Sequence, residues 1–389
     1  MKITRLYKEF FESEKTGGLI LVFCTAISLI LANSVFKDDY TYFWHITIAN
    51  HPLEYWINDG LMTLFFLLIG LELEREIYYG ELSSVKLAIL PLFAALGGML
   101  VPAGIYLFFN NGLPTQAGIG IPMATDIAFA IGILSLLGNK VPTSLKLFLT
   151  ALAVMDDLGA IIVIAMFYTS TIIYTNLCIA LGIFGVLFMF NRLKVYSLIP
   201  YIIGGILMWY FMLQSGIHAT ITGVLVAFVI PFGDTSTDSA TGEKKSTSYK
   251  LQHLLHKPVA FIILPLFALA NTCITFNPQW ISNLWQPNSI GVFAGLVIGK
   301  PLGICLFSAL AVFIGICALP SDLKWKHMIG ASFLGGIGFT MSIFITLLAF
   351  SDNELITGTK ITILLSSLIA GLIGFLWLKV TLQKEVLED

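Results

Sequence analysis

The chain has 389 residues, 57% hydrophobic and 11% charged, with a formal net charge of −2. A soluble domain carries about 25% charged residues, so this composition, with a mean hydropathy of +0.89, describes an all-α polytopic membrane protein. No basic stripe or phosphate loop argues for a nucleic-acid or nucleotide partner.

Runs of about 20 apolar residues cross a ~30 Å hydrocarbon core as helices. They predict twelve spans, near 17–33, 57–79, 87–109, 117–137, 145–168, 171–190, 197–213, 216–231, 258–275, 289–311, 328–350 and 358–379. The leading MKITRLYKEFFESEKTGG is polar and amphipathic, which predicts no cleaved signal peptide. In the loop over 34–56, YTYFWHITI (40–48) alternates enough to suggest a strand, and Asn50-His51-Pro52 can turn it into an external hairpin. An interfacial aromatic loop fits the same residues, since Trp and Tyr favour the headgroup level. The polar segment GDTSTDSATGEKKSTSYK, in the loop over 232–257, predicts a flexible link between two halves of one domain (1–389). The five cysteines, Cys24, Cys178, Cys273, Cys305 and Cys317, fall in apolar spans without metal-ligand spacing and read as small packing residues.

An even span count puts both termini on one side, and the basic residues say which. With the N-terminus inside, 18 of the 21 Lys and Arg fall on inner segments; only Lys37 and Lys360 lie outside, and Lys300 within a span. The positive-inside rule therefore places both termini in the cytoplasm.

Two spans are broken by their own residues. The fourth, AGIGIPMATDIAFAIGILSLL, has Pro122 just before Thr125 and Asp126, and the eleventh, MIGASFLGGIGFTMSIFITLLAF, has Gly335, Gly336 and Gly338 at its middle. Pro and Gly leave backbone groups unpaired, which lipid tolerates only where protein or a wet cavity satisfies them. The two breaks run in opposite directions, as an inverted repeat requires, and mark a transporter's binding site. A weak echo of Phe93-Ala94-Ala95-Leu96 in Phe293-Ala294-Gly295-Leu296 agrees.

The fifth span, KLFLTALAVMDDLGAIIVIAMFYT, carries Asp156 and Asp157 about 10 residues past Lys146, or ~15 Å of helix, near the midplane. An ionised group there costs roughly 2.5–3.5 kcal/mol on insertion scales and faces a pathway or a partner. Lys300 lies at similar depth in the tenth span. Three acids (Asp126, Asp156, Asp157) and one base leave net negative charge, which attracts a small hard cation. Crowded carboxylates also hold protons, because each raises its neighbour's pKa. Cation and proton competing for one site is the logic of an antiporter.

These residues lie in stretches that together resemble the NhaA family of sodium/proton antiporters: INDGLMTLFFLLIGLELERE (57–76), GIPMATDIAFAIGIL (120–134), ALAVMDDLGAIIVIA (151–165), SGIHATITGV (215–224), LHKPVAFIILPLFALAN (255–271), GKPLGI (299–304) and GGIGFTMSIFI (335–345). Inverted repeats with broken helices characterise that family. The resemblance implies Asp157 as principal sodium ligand, Asp156 as proton carrier paired with Lys300, and Thr125 and Asp126 where the broken helices cross at the midplane. Asp126 then offsets the positive helix N-termini and Lys300 the negative C-termini. It implies Asp59 as a structural aspartate and Glu72, Arg75, Glu76, His253, His256 and His218 as pH-responsive groups. Gln252, where relatives can carry an acid, and Glu74, where they can carry a base, depart from the pattern and put the pH profile in question.

The resemblance further implies electrogenic exchange of Na+ and Li+ for H+, no cofactor, a homodimer joined partly by the outer hairpin, and the bacterial inner membrane. Three alternatives stand against it, the first being a structural or receptor-like bundle, which would not need four midplane charges. An intramembrane aspartyl protease needs its aspartates on separate helices in YD and GxGD motifs, which are absent. A bile-acid-type carrier of related fold does not call for Lys300 beside an Asp-Asp pair.

Overall fold

The computed structural model describes residues 3–80, 83–168, 172–232, 246–276 and 280–388. Among them, nine helices are long and apolar enough to cross a bilayer, and ten if the bent pair Trp325–Gly335 and Phe339–Ala349 is one span. In chain order the helices are α1 (Ile3–Ala32), α2 (Lys37–Trp44), α3 (Leu53–Tyr79), α4 (Val85–Asn110), α5 (Ile127–Ser135), α6 (Thr143–Phe167), α7 (Tyr174–Arg192) and α8 (Ile199–Gln214). They continue with α9 (Ile221–Val229), α10 (Thr247–Asn271), α11 (Pro287–Phe313), α12 (Trp325–Gly335), α13 (Phe339–Ala349) and α14 (Asn353–Glu388). The two remaining expected spans are short helices, α8 of 16 residues and α9 of 9. Gly216, at φ +84°, and Pro231 confine α9. Most of the expected flexible loop, 233–245, lies outside the described residues.

The strand expected over 40–48 is mostly helix. Asp38 and Asp39 open α2, where a helix N-terminus favours negative charge, and Tyr40 meets Trp44 one turn later. Pairing is confined to Thr47–Ile48 (β1) against His51–Pro52 (β2), antiparallel. The turn is Ala49–Asn50, one residue earlier than expected, with φ of 49° and 68°, as a two-residue hairpin demands. Trp56 donates to the Ile48 carbonyl at 2.9 Å and ties the hairpin to α3.

Helices α3, α10 and α11 each contain a wide π-helical turn, at Trp56–Leu61, Val259–Ile263 and Gly295–Gly299. Proline explains the last two. Its ring clashes with the carbonyl four residues earlier; for Pro265 and Pro301 those carbonyls belong to Phe261 and Val297, inside the wide turns.

The chain forms two compact units. The first comprises Met1–Trp44, Glu81–Ile162 and Ala268–Asp389. Its tightest packing is α4 on α11: a Cβ on Gly97 would lie 2.1 Å from the Gly303 carbonyl, and the reverse distance is the same. Only glycine lets two backbones approach this closely. Both broken spans belong to this unit. The second comprises His45–Gly80 and Val163–Phe267, around a core of Leu71, Leu187, Tyr201, Met208 and Met212. Here Gly223 of α9 lies against the Thr63 carbonyl of α3, where a Cβ would come within 2.2 Å.

Candidate functional site

In the first break, Pro114–Met123 is a 3-10 helix of 10 residues. The chain then extends through Ala124 (ψ 150°) and Asp126 (ψ 99°) before α5 begins. Pro122 cannot donate a backbone bond, which suits a segment leaving the α-helical ladder. In the second break, α12 stops at Gly335 and α13 starts at Phe339, bent by 43°. The breaks face each other: the Asp126 amide donates to the Ile337 carbonyl at 2.7 Å.

Asp126, 2% exposed, serves both of the helices that begin here. One oxygen accepts the Phe129 amide at 2.9 Å and caps α5. The other accepts the Thr340 amide at 3.0 Å and the Thr340 hydroxyl at 2.6 Å, in the first turn of α13. An anionic acceptor satisfies orphan donors at two helix N-termini, where the dipoles favour negative charge.

The carbonyl ends of the same breaks meet donors. Thr125 Oγ1 lies 2.8 Å from the Gly335 carbonyl and 2.7 Å from Asp156 Oδ2. Lys300 Nζ is 2.9 Å from Asp156 Oδ2 and also donates to the Met123 carbonyl. Asp156, Lys300 and Thr125 are fully shielded, and Asp157 is 1% exposed. Asp157 is near enough to Lys300 to interact with it electrostatically. Asp156 Oδ1 is buried without a hydrogen-bond partner among the described residues. A buried carboxylate oxygen left in this state is a ready acceptor for a proton or a hard cation.

A second polar group lies in the other unit, on α3 and α10. Glu72 faces His256 Nδ1 at 3.8 Å, Arg75 donates to Glu76 at 2.9 Å, and Ser248 donates to Glu74 at 2.9 Å. Gln252, 6% exposed, lies one turn from both Ser248 and His256. His253 is exposed on α10, so it is not gathered with these residues. His218 lies in the turn before α9, its Nε2 at 2.8 Å from the Tyr168 carbonyl. The Asp59 carbonyl accepts from Thr63 at 2.5 Å and Trp209 at 3.3 Å, in the wide turn of α3.

The sequence reading did not single out Thr340, Ser248, or the carbonyls of Met123, Gly335 and Ile337. Thr340 carried a usable signal, a polar residue two positions after the last glycine of a break, where a new helix has unpaired amides. Carbonyls leave none.

The family model of Na+/H+ antiporter 1 matches residues 8–378. The Na(+)/H(+) antiporter NhaA of Flavobacterium psychrophilum is 64% identical, over 100% of this chain and 100% of that one. NhaA 1 of Flavobacterium johnsoniae is 65% identical, over 97% and 98%, and NhaA of Cytophaga hutchinsonii 63%, over 100% and 99%. In fold the chain is similar to the sodium proton antiporter MjNhaP1 from Methanocaldococcus jannaschii, with a TM-score of 0.55, 13% identity and 99% of each chain covered.

Proposed function

The chain belongs to the Na+/H+ antiporter 1 family, a family of multi-pass membrane transporters and not of enzymes, and from that membership we propose that it exchanges Na+, and Li+, for H+. The observation that carries the reading is the fully shielded pair of Lys300 Nζ and Asp156 Oδ2 at 2.9 Å, beside buried Asp157. An ammonium held on a carboxylate occupies the place a cation needs. Na+ entry breaks this pair: Asp157 gives up one proton and the Asp156–Lys300 pair gives up the other, because an ammonium that loses its counter-charge in a buried site is left neutral. Return of a proton to Asp157 and of one to the pair expels Na+, and two protons against one cation make the exchange electrogenic.

The wider architecture follows the same reading. The protein is a single antiporter domain of twelve spans, with α8 and α9 completing the count. The fourth and eleventh spans cross as paired broken helices at the midplane. Both termini and the loop over 232–257 face the cytoplasm of a bacterial inner membrane, which the distribution of Lys and Arg supports. The loop over 34–56, with its β1–β2 hairpin, lies outside and joins two copies in a homodimer. Glu72, Arg75, Glu76, His218 and His256 set the pH response, modified by Gln252; the exposed His253 stands apart from them. Asp59 is structural.

The test is Na+-dependent proton release from everted membrane vesicles containing the protein, measured across pH, with Li+ and K+ compared. Na+ and Li+ are expected to drive release. Vesicles that release no protons on Na+ addition at any pH would overturn the assignment.

A further inference from the structure

Building on the proposed exchange, we infer that Ser342 and Tyr106 are positioning residues for the cation site. They hold the 3-10 segment so that its Met123 carbonyl stays on Lys300. A 3-10 run of 10 residues is long for a geometry that seldom exceeds three or four, and it needs outside support. That support is a set of side chains on its carbonyls. The Tyr106 hydroxyl lies 2.6 Å from the Thr115 carbonyl near one end. Ser342 of α13 donates to the Ile121 carbonyl at 2.6 Å near the other. Two residues on, Met123 gives its carbonyl to Lys300.

The tethers are themselves fixed. Tyr106 Oη is also 2.7 Å from Asn288 Oδ1, whose amide donates to Thr359 at 2.6 Å, and all three side chains are buried. The segment lies flush against its neighbours. A Cβ on Gly118 would come within 2.3 Å of Tyr106 Oη, and one on Gly295 within 2.6 Å of the Pro122 ring.

The consequence concerns Lys300. Its ammonium is shared between the Met123 carbonyl and Asp156 Oδ2, and a cation binds Asp156 by taking it from Lys300. The carbonyl keeps part of the ammonium's hydrogen bonding off the carboxylate. If the segment slackens, the ammonium rests on Asp156 alone and Na+ competes less well. Loss of either tether therefore raises the apparent KM for Na+. A hydroxyl with a merely structural role lowers the amount of folded protein and leaves KM in place.

Thr346 supplies the control. It is buried on the same helix, but its hydroxyl bonds the Ser342 carbonyl of its own helix at 2.7 Å. Proteoliposomes of the parent, Ser342→Ala, Tyr106→Phe and Thr346→Val are assayed over a Na+ series at fixed pH. Ser342→Ala and Tyr106→Phe are expected to raise KM about fivefold, the worth of one hydrogen bond, with the maximal rate per folded protein within about twofold. Thr346→Val is expected to keep the parent KM. Should Ser342→Ala yield no folded protein, Tyr106→Phe, at the far end of the segment, decides alone. An unmoved KM in the hydroxyl variants that fold, or an equal rise in Thr346→Val, overturns the positioning role while the exchange reading stands. A parent without Na+-saturable exchange overturns both.

Discussion

Thr340 gives both its amide and its hydroxyl to one oxygen of Asp126, at 3.0 and 2.6 Å, while the other oxygen takes the Phe129 amide at 2.9 Å. One carboxylate thus begins two helices. Losing an N-cap costs about 1 kcal/mol, and the charge at each helix end adds ~0.3–1 kcal/mol. Asp126→Ala is therefore expected to destabilise the protein by about 3–4 kcal/mol, summing two ends. Asp126→Asn keeps one carbonyl oxygen as a cap and should lose less. Thermal unfolding in detergent orders the two; equal midpoints would show that the second cap and the charge contribute nothing.

Lys300 and Asp156 are predicted to behave as a coupled pair. Lys300→Ala strands a buried carboxylate, which costs about 3–5 kcal/mol when one partner of such a pair is removed. Adding Asp156→Asn neutralises the stranded group and should restore most of that stability. A double-mutant cycle in which the two losses simply add would rule out the coupling.

The role of Asp157 should be separable from the scaffold. Asn keeps the volume and the acceptor oxygen of Asp but can neither carry nor release a proton. Asp157→Asn is expected to abolish Na+/H+ exchange while folded protein is recovered at the parent's level; Asp156→Asn is expected to abolish exchange too, with a loss of stability because it strands the Lys300 ammonium. Full exchange by Asp157→Asn in proteoliposomes would remove that residue from the cation site.

The parts of this arrangement that depend on side-chain chemistry and hydropathy were legible in the chain. Asp156, Asp157 and Lys300 stand out because charge in an apolar run is rare and costly. Pro122 and the glycines at 335, 336 and 338 mark the breaks because they interrupt a helical ladder. Backbone acceptors were not legible: Met123, Gly335 and Ile337 act through carbonyls that any residue possesses. The strand expected over 40–48 is mostly helix because Asp38 and Asp39 favour a helix start, which alternation of side chains does not register. The twelve-span pattern over-lengthened 216–231, because hydropathy does not register the left-handed Gly216 or the stop at Pro231.

The pH response supplies the last prediction. Glu72 and His256 are 3.8 Å apart, on α3 and α10. Imidazole changes charge near neutral pH, so their attraction exists at acid pH and disappears as pH rises. If that attraction restrains exchange, Glu72→Gln removes the restraint at every pH and moves the onset of exchange to lower pH. Both side chains are largely shielded, 15% and 11% exposed, so screening by solvent does not erase the shift. Gln252→Glu places an acid one turn from His256, stabilises the imidazolium and should move the onset the other way. His253→Ala should leave the onset unchanged, since His253 faces outward. Competition between Na+ and H+ at Asp156 and Asp157 can also generate a pH profile, and the Na+ dependence tells the two apart. A competition-driven onset moves as Na+ rises toward saturation; an onset set by Glu72 and His256 keeps its displacement from the parent at low and saturating Na+ alike. Overlaid profiles for the parent, Glu72→Gln and Gln252→Glu at both Na+ levels would remove Glu72 and His256 as a source of the pH dependence.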